Sequence, residues 1–137
     1  VLTTKHVLPS MREAGAGVII NISSMAARKA YPLVGYKTTK AAVIALTEQT
    51  AALNARYGIR ANVLLPGLMN TPMAIESRVS TKRSRETIIA ERDAQVPLGR
   101  KMGTAWDVAH AAAFLASDRA GFITGVALPI DGGTSVV

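Results

Sequence analysis

A hydroxyl, a phenol and an ammonium, those of Ser24, Tyr36 and Lys40, follow one another in this sequence in an order that suits proton transfer to a carbonyl. Ser24 comes just after the apolar run Val18-Ile19-Ile20-Asn21-Ile22, Tyr36 follows twelve residues later, and Lys40 stands four beyond Tyr36. Residues i and i+4 lie on one face of a helix, so the phenol and the ammonium can point into one cleft. A free tyrosine has a pKa of about 10, too high for an efficient base near neutrality, and a neighbouring cation favours the phenolate. In that arrangement Ser24 donates a hydrogen bond to the substrate oxygen while Tyr36 gives or takes the proton. Ser23 competes with Ser24 for this role. Successive strand residues face opposite sides, so only one of the two hydroxyls reaches the cleft. Tyr-x-x-x-Lys is a short pattern by itself, and its plain alternative is an exposed helix start with a solvated lysine.

The elements that must position these groups can be read from the pattern of the chain. Val1 to about Met11 reads as the end of a helix, stopped before Gly15-Ala16-Gly17. Val18 to Ile22 is apolar and β-branched, as suits a parallel strand covered on both faces. A loop from Met25 to Gly35 carries Arg28, Lys29 and Pro32, and a long helix from about Tyr36 to Tyr57 follows, ended by Gly58 in the left-handed conformation. Its many alanines permit close approach of a strand or a partner helix. Arg60 to Leu65 is a second strand, ended by Pro66-Gly67. Strand, helix and parallel strand make a right-handed βαβ unit, and ligands of open α/β sheets bind beyond the carboxyl ends of the strands. Ser24 and Pro66-Gly67 fall at two such ends. Leu68 to Pro97 is long and mixed, polar from Arg78 to Arg85 and helical from Glu86 to Ala94. Thr104-Ala105-Trp106-Asp107 reads as a capping box opening a helix to about Ser117, which makes Asp107 a cap and not a catalytic group. A third parallel strand, Val126 to Ile130, leads into the turn Asp131-Gly132-Gly133.

Composition narrows the function classes. Of 137 residues, 49% are hydrophobic, which argues for a packed core and against disorder. No apolar run is long enough to span a membrane. With no cysteine the chain has no disulfide framework and no thiolate metal ligands. His6 and His110 have no partners at metal-ligand spacing, and the Gly-x-Ser-x-Gly elbow of serine hydrolases is absent. The net charge of +7 raises a nucleic-acid reading. The cations are dispersed, with one denser stretch at Arg78, Lys82, Arg83 and Arg85, and the aromatics are not interleaved with them as base stacking requires, so a solvated face is the better account.

In the segments Gly17-Val-Ile-Ile-Asn-Ile-Ser-Ser24, Tyr36-Lys-Thr-Thr-Lys40, Gly58-Ile-Arg-Ala-Asn-Val-Leu-Leu-Pro-Gly67 followed by Thr71, and Ile123-Thr-Gly125 through Asp131-Gly-Gly133, the chain resembles the short-chain dehydrogenase/reductase family. The resemblance runs from the first residue to the last. It implies the C-terminal part of a Rossmann-type, doubly wound parallel sheet, here a partial single domain over 1–137, in which 68–97 is the substrate lid. It implies an oxidoreductase that moves a hydride between NAD or NADP and a carbonyl or secondary alcohol. Tyr36 is then the acid/base, Lys40 holds the nicotinamide ribose, and Ser24, favoured over Ser23 by the family pattern, positions the substrate oxygen. Pro66 and Gly67 lie against the nicotinamide, Leu68 and Met69 add contacts, and Thr71 bonds the carboxamide. Thr39 stands where the family commonly has serine, and keeps a hydroxyl. The expected partners are a small-molecule substrate and further copies of the chain, as dimer or tetramer, with no nucleic acid or membrane; the expected location is the cytoplasm.

The chain opens on Val1 and contains no Gly-x-x-x-Gly-x-Gly loop, the element that lets backbone approach a cofactor pyrophosphate. The expectation is therefore a C-terminal half whose parent is the enzyme, with the isolated chain inactive. The first strand would then have an unpaired apolar edge. The alternative reading is a catalytically inactive interaction or assembly module.

Overall fold

The computed structural model describes residues 1–137. Three parallel strands, β1 (Gly17–Ile22), β2 (Ile59–Pro66) and β3 (Ala127–Ile130), lie in that order across one sheet. Residues 17 to 22 of β1 pair in register with 59 to 64 of β2, and residues 63 to 66 of β2 pair with 127 to 130 of β3. The sequence reading placed all three strands and their order, as well as the helices that cover them.

Helix α1 (Leu2–Ala14) extends past the expected stop near Met11, because Gly15, at φ 66°, is the residue that takes the left-handed cap. Helix α2 (Val34–Asn54) begins two residues before Tyr36, with the Lys37 N–H bonded to the Leu33 carbonyl. It ends earlier than expected, since Ala55–Tyr57 tightens into a 3-10 turn before Gly58 at φ 70°. A side chain at Gly58 would also strike the Gly15 carbonyl oxygen, 2.4 Å from the position its Cβ would take. Glycine is thus required there both by φ and by the close passage of two turns.

Alternate residues of β2 feed opposite faces of the sheet, as the two-residue period of a strand demands. Val63 and Leu65 pack with Met25, Val43 and Ile44, and Ala61 packs with Ile19, Ala51 and the α1 residues Val7, Leu8 and Met11. Leu64 faces the other way, onto Leu115, Ala120 and Val108. Leu115 and Val108 belong to the helix Ala105–Ala116, labelled α5 below. Helices on both faces of a parallel sheet make the doubly wound arrangement.

Between β2 and that helix lie a short helix, α3 (Pro72–Ile75), a 3-10 turn at Glu76–Arg78, and α4 (Arg85–Asp93), within a residue of the helix expected from Glu86 to Ala94. This segment has a small core of its own, in which Ile75, Ile88, Val96 and Met102 are buried. Ser84 caps α4 by accepting the Thr87 N–H at 3.2 Å. At the start of α5 the Asp107 carboxylate accepts both the N–H and the hydroxyl of Thr104, at 2.6 and 2.8 Å, in a capping box as the sequence implied. Those two bonds, backbone first, hold the Asp107 carboxyl below its ordinary pKa. No helix is long and apolar enough to cross a membrane.

Candidate active site

Above the carboxyl ends of β1 and β2 opens a cleft of about 980 Å³. Ser24, Tyr36, Lys40, Pro66, Gly67, Leu68, Met69 and Thr71, brought from four different segments, all line it. A parallel sheet produces this convergence because both strands run the same way and stop at the same rim.

The two serines after β1 part company here. Ser23 is buried, and its hydroxyl donates to the Lys40 carbonyl at 2.7 Å, fastening α2 to the end of β1. Ser24 is half-buried and caps the 3-10 turn Met25–Ala27, its Oγ accepting the Ala26 N–H at 3.1 Å. An oxygen that accepts from the backbone keeps its own hydrogen free to donate into the cleft. Both serines border the cleft, contrary to the expectation that only one would reach it, and they differ in that the Ser23 hydroxyl is spent on the Lys40 carbonyl.

Tyr36 sits in the first turn of α2, 36% exposed, with its ring 5.5 Å from that of Tyr31. One turn on, the Lys40 ammonium lies 5.7 Å from the centre of the Tyr36 ring and donates to the Ile22 carbonyl at 3.0 Å. That bond ties the cation to the end of β1, on the same side as the phenol. Thr39, the variant position between them, turns its hydroxyl back onto the Tyr36 carbonyl at 2.9 Å and so takes no part in the cleft.

The opposite side of the cleft is backbone. Gly67 donates its N–H to the Ile130 carbonyl at 2.9 Å, and a Cβ there would come within 2.6 Å of Asp131 Cβ and 2.8 Å of its Cα. Only glycine lets the turn after β2 lie this close to the turn after β3. Burial of Asp131 opposes its ionisation, but hydrogen bonds from Ser135, the Gly133 N–H and Thr134 outweigh it and leave the carboxyl below its ordinary pKa. Met69 is buried in a single bridge to Gly103, Leu68 is half-buried, and Thr71 stands at the N-cap of α3 without a side-chain cap bond.

Sequence reasoning missed several residues that share this cleft. Tyr31 was not connected with Tyr36, and Arg92, inside α4, and Gln95, just beyond it, went unremarked. Arg78 was read as part of a solvated stretch. No spacing rule could have found these, because which face of a short helix meets a cleft depends on how the segment folds back.

The donor set of the Tyr36 phenol, the Lys40 ammonium, serine and threonine hydroxyls and a close-lying backbone turn fits the nicotinamide and ribose end of a dinucleotide. It offers no glycine loop for the pyrophosphate, and the sequence contains none.

Comparison with known proteins agrees with this geometry. The family described as Enoyl-(Acyl carrier protein) reductase matches residues 1–135. The 2,5-dichloro-2,5-cyclohexadiene-1,4-diol dehydrogenase LinX of Sphingobium indicum is 41% identical over 138 residues, an alignment that takes in 98% of this chain and 51% of that enzyme. Among solved structures, an oxidoreductase of the short-chain dehydrogenase/reductase family from Burkholderia thailandensis superposes with a TM-score of 0.89 at 36% identity, over 98% of this chain and 51% of its own. The structure of ElxO with NADP bound superposes with a TM-score of 0.86 at 35% identity, over 98% and 52% respectively. The chain spans about half the length of the relatives it matches. With its cleft at the carboxyl ends of a doubly wound parallel sheet and a match from end to end, this chain belongs to the short-chain dehydrogenase/reductase family.

Proposed function

We propose that this protein takes part in hydride transfer between a nicotinamide cofactor, NAD or NADP, and a carbonyl or secondary alcohol, with Tyr36 as the acid/base. The observation that carries the reading is the meeting of Ser24, Tyr36 and Lys40 in one cleft, with Lys40 anchored to Ile22 and Ser24 left a free hydrogen. A bound nicotinamide supplies or accepts the hydride, and the protein supplies orientation and the proton.

Ser24 donates to the substrate oxygen and holds it beside the Tyr36 hydroxyl. In the reducing direction Tyr36 releases its proton to that oxygen, and in the oxidising direction it takes one up. Lys40 places a positive charge by the ring where negative charge develops on the phenol oxygen, and its two remaining hydrogens can bond ribose hydroxyls. Pro66, Gly67, Leu68, Met69 and Thr71 hold the nicotinamide end, Thr71 through its unspent hydroxyl. The segment 68–97 acts as the substrate lid. Its buried residues Ile75, Ile88 and Val96, packed with Met102 just beyond it, support this reading, since a lid that carries a core can move as a unit.

The test is turnover of a panel of ketones and aldehydes with NADH and NADPH, for a polypeptide in which this chain is joined to a pyrophosphate-binding half and for its Tyr36→Phe variant. The variant keeps the ring and its contact with Tyr31, so cofactor affinity and unfolding midpoint are expected to stay within error while turnover falls by a factor of at least about 10². Turnover equal to that of the unsubstituted protein would remove Tyr36 from the chemistry.

A further inference from the structure

The side-chain charge lining the cleft is of one sign. Lys29, Lys40, Arg78 and Arg92 border it, and no aspartate or glutamate side chain does. Three of these cations donate to backbone carbonyls, Lys40 to Ile22, Lys29 to Thr134 and Arg78 to Ala74. Arg78 and Arg92 come from the segment between β2 and α5. Arg92, on α4, is half-buried, and its Nε–H meets only the Met102 sulfur, at 3.3 Å. The ion pairs of the molecule are Arg83 with Glu91 and Arg85 with Glu76, so neither Arg78 nor Arg92 has a carboxylate. Desolvation, reinforced by the positive charge of Arg78, holds Arg92 below the ordinary arginine pKa. Arg78 is exposed, but a half-buried guanidinium without a counter-ion, as at Arg92, is costly unless something negative arrives. Tyr31 connects this corner to the chemistry, since it lines the same cleft as Arg92 and its ring lies 5.5 Å from that of Tyr36.

From this we infer that the substrate is an anion, a carbonyl or hydroxyl compound bearing a carboxylate or similar group, and that Arg92, assisted by Arg78 and Gln95, receives that group while the carbonyl lies at Ser24 and Tyr36. The inference rests on the oxidoreductase reading only for the carbonyl end; the anion end is a binding property of the lid. A planar guanidinium donates two parallel hydrogen bonds to a carboxylate, which fixes the orientation of a small substrate as well as its affinity.

Binding separates the two claims. Oxo acids with one to three methylenes between ketone and carboxylate, each paired with its methyl ester, are titrated into the protein by calorimetry at physiological salt. The best acid is expected to bind about tenfold or more tightly than its ester, the scale of one charge-assisted hydrogen bond. Arg92→Gln is expected to bring the pair within about twofold, and Arg78→Gln to lower the preference in part. If Arg92→Gln does not fold, judged by its unfolding transition, Arg92→Lys and Arg78→Gln carry the test, each expected to weaken acid over ester. Esters that bind as well as acids, a preference unchanged in these variants, or acetate binding as tightly as the best oxo acid would each overturn the inference. Tyr36→Phe is expected to keep the acid preference. A protein that prefers acids but turns none over would defeat the oxidoreductase reading alone, and one that turns over esters and acids alike would defeat the anion site alone.

Discussion

Strands β1 and β2 lie side by side and both end at the cleft, yet they are buried to opposite degrees. By sequence β1 is the more apolar, Gly17-Val18-Ile19-Ile20-Asn21-Ile22, while β2 carries Arg60 and Asn62. In the fold, residues 61 to 65 of β2 are all buried, whereas β1 is mostly half-buried and Ile22 is 46% exposed. The difference comes from position. β2 has a strand on each side and helices on both faces; β1 has no strand of this chain along its outer edge. The polar residues of β2 are tolerated because each is matched. Asn62 donates to the Ile123 carbonyl at 2.9 Å and accepts the Val126 N–H at 3.0 Å, and Arg60 bonds the Leu115 and Ser117 carbonyls at the end of α5. Burial in a sheet thus follows place more closely than composition.

Leu64 and Ile22 are register partners, which makes them the sharpest test of that contrast. Leu64→Ala, emptying a site with no exposure among Leu115 and Ala120, is expected to lower stability by about 3 kcal/mol in denaturant unfolding. Ile22→Ala is expected to lower it by under about 1 kcal/mol. Equal losses would mean that the outer edge of β1 is covered in solution. The two asparagines give a smaller pair. Asn62→Ala removes one donor from the half-buried Ile123 carbonyl and the acceptor of the half-buried Val126 N–H, and about 2 kcal/mol is expected. Asn21→Ala loses one bond to Thr47, whose hydroxyl already donates to the Val43 carbonyl, so about 1 kcal/mol or less is expected.

The smallest effect concerns the turn after β3 that packs on Gly67. Asp131 has a depressed pKa in the folded protein, so its contribution to stability is fully present above the unfolded carboxylate value, near 4, and fades as pH falls through the folded one. Thermal unfolding measured from pH 6 down to pH 3 is expected to show a slope that Asp131→Asn reduces. An unchanged slope would leave the hydrogen bonds from Gly133 and Thr134 without energetic weight, and would count against a rigid turn behind the cleft.

Much of this protein was fixed by local pattern. The β-branched run 18–22, the alanine-rich helix, the glycine stops at 15 and 58 and the order strand, helix, strand dictate a parallel sheet with its cleft at the carboxyl ends, because side-chain period and crossover handedness leave few other arrangements. Ser24, Tyr36, Lys40 and the Pro66-Gly67 turn were legible for the same reason: each sits at the end of a regular element whose direction is known. What only the tertiary structure decided was which hydroxyl is spent, which strand is central and which charges share the cleft. Ser23 and Ser24 are indistinguishable by type, and it takes the Lys40 carbonyl, seventeen residues away, to occupy one of them. Arg78 and Arg92 join the site because an irregular segment folds back on a core of Ile75, Ile88, Val96 and Met102, a packing outcome among distant residues that no local periodicity encodes.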